Sequence, residues 1–322
     1  MKTLLGSAIV IACALSSGSA PADTLLPLYE FEWGGQGTGP TQLDHPYGLA
    51  MDAAGFIYVT DMNNNRVQKF DAVGNFVSSF GAYGSGPGQL FHPTGIAVDA
   101  LGHIYVVEHQ NHRVSKFDAS GTHLSSWGAP DSNDSTAFFY PVGIAIDPFG
   151  NLYVANNLHG NVLKFDTDGT LLGLLSDPNG PGTYGVACDA AGNVYVSNYN
   201  GGAVYVFDPT GAPLGNYGAF GSGLGEFFSP HGMRFDADGN LFVVDTDNHR
   251  CQMLSPAGEF ILEWGAHGTG MGEMNVPTDV LLGANQRIYV ADWHNNRIQV
   301  FLFDGVVQTT SATWGRLKAT YR

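Results

Sequence analysis

Cysteine is scarce here, with three residues in 322, and no pair is spaced C-x-x-C. That argues against a thiolate metal centre and a disulfide-stapled scaffold. Positive charge is scarce too. Thirteen Lys and Arg stand against 29 Asp and Glu, a formal net charge of −16. Such a surface repels phosphate and gains no counterion release from it. Nucleic acid and anionic lipid are therefore not expected partners. A labelled DNA or RNA oligonucleotide should stay free at physiological salt in fluorescence anisotropy; salt-sensitive binding would reveal a hidden basic face. Past the N-terminal segment, no stretch approaches the ~20 apolar residues of a membrane helix. No serine or cysteine nucleophile motif occurs. Charged residues make up only 13%, while 44% of the chain is hydrophobic, enough for a large core rather than disorder.

What is present is a repeated unit. His92 to Gly128 holds four short runs rich in β-branched and aromatic residues: Gly95–Val98, Ile104–Val107, Val114–Phe117 and Leu124–Trp127. Turn residues separate them, as in Asp99-Ala-Leu-Gly102 and Asp118-Ala-Ser-Gly121. This reads as a four-stranded antiparallel meander. The first-strand glycine recurs as Gly48, Gly95, Gly143, Gly185 and Gly232, with Asp279 in the sixth place, at spacings of 47, 48, 42, 47 and 47 residues. Four strands per unit at this period are the mark of propeller blades. The expected fold is all-β, a six-bladed β-propeller.

Between the second and third strands stands D-x-x-N-x-R: Asp61 to Arg66, Asp245 to Arg250 and Asp292 to Arg297, with Glu108 to Arg113 a close variant. With this motif the chain resembles the NHL-repeat family, which implies a six-bladed propeller. Asp61/Arg66, Glu108/Arg113, Asp245/Arg250 and Asp292/Arg297 are expected to be ion pairs within blades, serving as scaffold. The third and fourth units lack both charges.

Met1 to Ala22 reads as a signal peptide, with Lys2, an apolar run and Ala20-Pro-Ala22. Its removal leaves 12 Lys and Arg against 29 acids, or −17. Val10-Ile-Ala-Cys13 offers a lipoprotein alternative. Either way the expected location is secreted or periplasmic. Residues 23–304 form the expected propeller and 305–322 a tail. Leu28 to Gly34 matches the fourth strand Phe260 to Gly265, so the N-terminal strand should complete the last blade and remove an open edge. The rival is Ala312-Thr-Trp314 in the tail. Cys188 and Cys251 align with apolar positions of other units and should be unbridged core residues.

The loops before the first strands and between the second and third strands should share one face. That face collects His45, Tyr47, His92, Tyr140, Tyr184, Tyr199, His231, Asp279, Trp293 and His294. Trp293, His294, His45 and Tyr47 are expected to cluster where the sixth unit meets the first. Aromatic and imidazole groups around an opening are suited to ligands. The reading is a monomeric binding module for a protein, peptide or glycan, without a cofactor. A metal-dependent lyase or hydrolase is the alternative. Amidating lyases look like this family and hold zinc through Pro-His-x motifs, which only His231 fits here. Lactonases of similar shape use calcium, for which Asp279 is the one matching acid.

Overall fold

Each repeat becomes one antiparallel sheet because its short β-branched runs are cut by Asp-x-x-Gly turns. The computed structural model describes residues 26–303. A first strand, β1 (Leu28–Gly34), stands alone. Blade one follows as β2 (Pro46–Met51), β3 (Ile57–Asp61), β4 (Arg66–Phe70) and β5 (Phe76–Phe80). Blade two is β6 (Pro93–Val98), β7 (Ile104–Glu108), β8 (Arg113–Phe117) and β9 (His123–Trp127). Blade three is β10 (Pro141–Ile146), β11 (Leu152–Asn156), β12 (Asn161–Phe165) and β13 (Leu171–Ser176). Blade four is β14 (Thr183–Cys188), β15 (Val194–Asn198), β16 (Ala203–Phe207) and β17 (Pro213–Tyr217). Blade five is β18 (Pro230–Phe235), β19 (Leu241–Asp245), β20 (Arg250–Leu254) and β21 (Phe260–Trp264). Blade six has β22 (Pro277–Leu282), β23 (Arg287–Asp292) and β24 (Arg297–Leu302), and β1 is its fourth strand.

The closure expected from the sequence is therefore present. β1 runs antiparallel to β24, with Trp33 opposite Ile298 and Gly34 opposite Arg297. The Trp33 ring wedges between Phe70 of blade one, at 5.7 Å, and Tyr289 of blade six, at 5.8 Å. It rests on the Gly74 turn, where φ is +85° and an added Cβ would sit 2.7 Å from the indole. Glycine is needed there on both counts. The competing tail segment, the signal-peptide residues and Cys13 lie outside the described residues.

Second strands are buried on both faces and pack the blades together. Ile57 and Val59 meet Tyr289, Ala291 and Ile298 across the closing seam. First strands line the central channel with their free edges. They approach so closely that a Cβ on Gly48 would strike the Thr94 carbonyl oxygen of the next blade. Hydroxyls staple neighbouring blades at this level: Thr60 to Thr94 O (2.6 Å), Ser197 to His231 O (2.8 Å) and Thr278 to Tyr47 O (2.8 Å). Both described cysteines are free. Cys251 is fully buried, while Cys188 is only partly so and lines the channel's lower mouth.

Candidate functional site at the channel mouth

Chain direction places the loops before first strands and those between second and third strands on one face, here called upper. The four charged pairs lie just beneath it. Arg66 Nε reaches Asp61 at 2.8 Å, Arg113 reaches Glu108 at 2.6 Å, and Arg250 and Arg297 reach Asp245 and Asp292 at 2.7 Å. Each arginine also donates to carbonyls of the connector, as Arg66 does to Thr38 O at 2.8 Å. Burial holds Asp61, Asp245 and Asp292 above their ordinary carboxyl range despite these partners. In blades three and four the carboxylate position is taken by amides. Asn156 bonds Asn161 at 3.0 Å and Asn198 bonds Asp177 at 2.8 Å.

The expected site residues divide into three groups. At the seam, His45 packs on Trp293 (4.9 Å) and His294 (5.6 Å), as expected. Its Nδ1 lies 2.6 Å from Asp44. Tyr47 does not join them: its ring turns into the channel, because inner-strand residues beyond the entry proline face the axis. Around blades two and three, Tyr140 contacts His112 (4.5 Å) and His109 (5.1 Å), and His92 lies on Phe91 (5.0 Å). Burial lowers the pKa values of His92, His109 and His294.

The third group is an arc of rings across the channel mouth. Tyr199 stacks on Tyr184 at 5.4 Å, Tyr184 on His231 at 4.4 Å, and His231 faces Tyr47 at 6.2 Å. Blades four, five and one contribute, so blade four, one of the two without the D-x-x-N-x-R motif, takes part in it. His231 is 8% exposed, and both its ring nitrogens are buried without a hydrogen-bond partner. Burial drives its pKa down to about 3 and pushes the Tyr47 and Tyr184 hydroxyls up.

This has a measurable consequence. A histidine whose folded pKa is depressed stabilises the fold fully above its unfolded value of 6.5. That stability is lost as pH falls from there toward about 3. The loss is on the order of 3–5 kcal/mol at ~1.4 kcal/mol per unit. His231→Phe should flatten the urea-stability curve between pH 6 and 4; a curve as steep as the parent's would assign the acid loss elsewhere.

Below the arc the channel narrows to a cavity of about 30 Å³ bordered by Tyr47, His231, Thr278, Asp279 and Arg234. Asp279 replaces the glycine of the other blades and reaches across the seam. Its Oδ2 accepts the Leu49 N–H at 2.9 Å and lies 3.3 Å from Arg234. Arg234 also donates to Leu49 O at 2.8 Å. Burial raises the Asp279 pKa against the pull of Arg234. Arg234 was not singled out by the sequence, although a lone cation in an apolar first strand was a usable signal.

Among the described residues, no three His, Cys, Asp or Glu are placed to hold a metal ion. His231 is ringed by tyrosines, His45 stays with the seam cluster, and the oxygens of Asp279 are occupied by Arg234 and backbone N–H groups. Neither a zinc nor a calcium centre fits these residues.

Comparison with known proteins matches residues 48–144 to a family model described as a 6-bladed beta-propeller, and residues 227–252 and 274–301 to the NHL repeat. Protein lin-41 of Caenorhabditis elegans is 46% identical over 46 residues, 14% of this chain and 4% of that protein. The chain thus spans a small part of that relative's length. Among solved structures, streptogramin B lyase is similar with a TM-score of 0.61 at 17% identity, covering 86% of this chain and 88% of that one. The gluconolactonase XC5397 of Xanthomonas campestris gives 0.64 at 16%, covering 87% and 98%. Likeness at such identities concerns the fold.

Proposed function

We infer, for a six-bladed propeller that carries NHL repeats, a role as a rigid binding module outside the cytoplasm. Its ligand, a protein, peptide or glycan, docks on the upper face. The observation that carries this reading is the arc Tyr199–Tyr184–His231–Tyr47. Stacked rings give large contact area at low entropy cost. Three blades hold them, so little ordering remains to be done on binding.

The lyase and lactonase likenesses raise catalysis as a second reading. An imidazole with a pKa near 3 is a weak base at neutral pH, far from the match that proton transfer favours. His231 thus suits a neutral hydrogen-bonding role. Metal analysis of the purified protein addresses the same point: a stoichiometric ion lost on His231→Ala would favour the enzyme.

The binding reading is tested with glycan and peptide arrays probed by the mature chain. Any ligand found should lose ~10- to 30-fold affinity in Tyr184→Ala with Tyr199→Ala, as for central aromatic anchors. Full affinity there, with loss in Trp293→Ala with His294→Ala, would move the site to the seam cluster.

A further inference from the structure

Outermost strands leave one row of N–H and C=O groups unpaired, an invitation to foreign strands that proteins usually discourage with polar, charged or proline residues. β1 carries Glu30 and Glu32, β5 and β9 carry paired serines, β17 begins with Pro213, and β21 carries Glu263. The outer strand of blade three differs. β13 reads Leu171-Leu-Gly-Leu-Leu-Ser176, with no charge and no proline. Leu171, Leu172 and Leu174 are 38%, 51% and 40% exposed. Among the described residues, the strand pairs only with β12.

Gly173 sharpens the point. Its φ is not positive, and a Cβ added there would meet nothing within 4 Å. Gly173 adjoins a β-bulge against β12, but the same bulge in β5, β9 and β21 carries Ser78, Ser125 and Leu262 at that place, so the bulge does not require glycine, which weakens a strand. Residues 171–175 read the same in both directions. Antiparallel pairing of the strand with itself about Gly173 sets glycine against glycine, Leu172 against Leu174, and Leu171 against Leu175. The glycine then lies where two backbones meet. The strand has no charge with which to select a foreign segment. It is also an uncharged stretch on a chain of net −16, whose copies otherwise repel one another.

We propose that β13 is a self-complementary edge through which two copies of this chain join about a two-fold axis, forming one eight-stranded antiparallel sheet across two propellers. This departs from the monomer expected from the sequence. A single strand pair falls below the ~1,200 Å² of stable specific interfaces, so the dimer is reversible and concentration-dependent.

Sedimentation equilibrium of the mature chain should show the weight-average mass rising from one chain toward two with concentration. Leu172→Lys with Leu174→Lys sets like charges opposite each other and should hold the chain monomeric throughout. Leu172→Lys with Leu174→Glu sets opposite charges face to face and should dimerise at low salt, weakening as salt is added. Both sites are exposed, so the thermal melts of the variants should match the parent's. A parent that stays monomeric at the highest attainable concentration overturns the proposal and leaves the edge to a foreign extended peptide. So does association of the double-lysine variant equal to the parent's, which places the contact elsewhere. A lysine–glutamate variant as monomeric as the double-lysine one overturns the antiparallel register.

Discussion

A chain lacking Leu25–Gly34 should lose roughly 5 kcal/mol or more of stability, read as a lower urea midpoint. β1 fills the fourth place in blade six, and Trp33 sits between Phe70 and Tyr289. Removing the buried Trp33 forfeits ~1.5–3 kcal/mol, and the half-buried Phe31 a smaller amount. It also bares Ile298 and Val300 of β24, both now fully buried. Domains hold only about 5–15 kcal/mol in all, so the loss takes a large share. An unchanged midpoint would mean that another segment fills that edge.

The second large effect is expected at Arg234. Arg234→Met leaves Asp279 buried without its cation, and breaking such a pair costs about 3–5 kcal/mol. Arg234→Met with Asp279→Gly restores the glycine of the other blades and should recover most of the loss, since apolar replacement of a buried pair is often neutral. The pH dependence has a defined sign. Burial raises the folded pKa of Asp279 above its unfolded value, so this group's contribution is greatest in acid and is lost as pH rises through the folded pKa. The gap between Arg234→Met and the parent should therefore narrow as pH falls. A double variant no more stable than Arg234→Met would refute the account, as would a gap that widens in acid.

The propeller was legible in the sequence because its signal is repeated: glycine, turn and D-x-x-N-x-R recur in phase. Closure was legible because Trp33-Gly34 matches Trp264-Gly265, and Gly34-Gly-Gln-Gly-Thr-Gly39 after it matches Gly265-Ala-His-Gly-Thr-Gly270. The site was only partly legible. His45, Trp293 and His294 meet as their loop positions imply. Tyr47 parts from them because His45 stands at a left-handed turn (φ +59°) before β2, whereas Tyr47 lies in the strand and borders the channel. Asp279 stood out as the acid in a glycine place, but its partner Arg234 lies 45 residues earlier in sequence. Their meeting depends on side chains reaching between the first strands of neighbouring blades, which periodicity does not encode.

The pairing of β1 with β24 also sets an order of events. β1 leaves the ribosome well before its partner β24, so Gly34 waits for Arg297 across the whole ring. Until then Phe31 and Trp33 are exposed, and blade one lacks the neighbour that covers Leu49, Ile57 and Val59. The ring therefore becomes cooperative only once β24 has been made, with the long-range contacts that slow folding. Chains halted before β24 should be the species most prone to aggregate and most in need of chaperones.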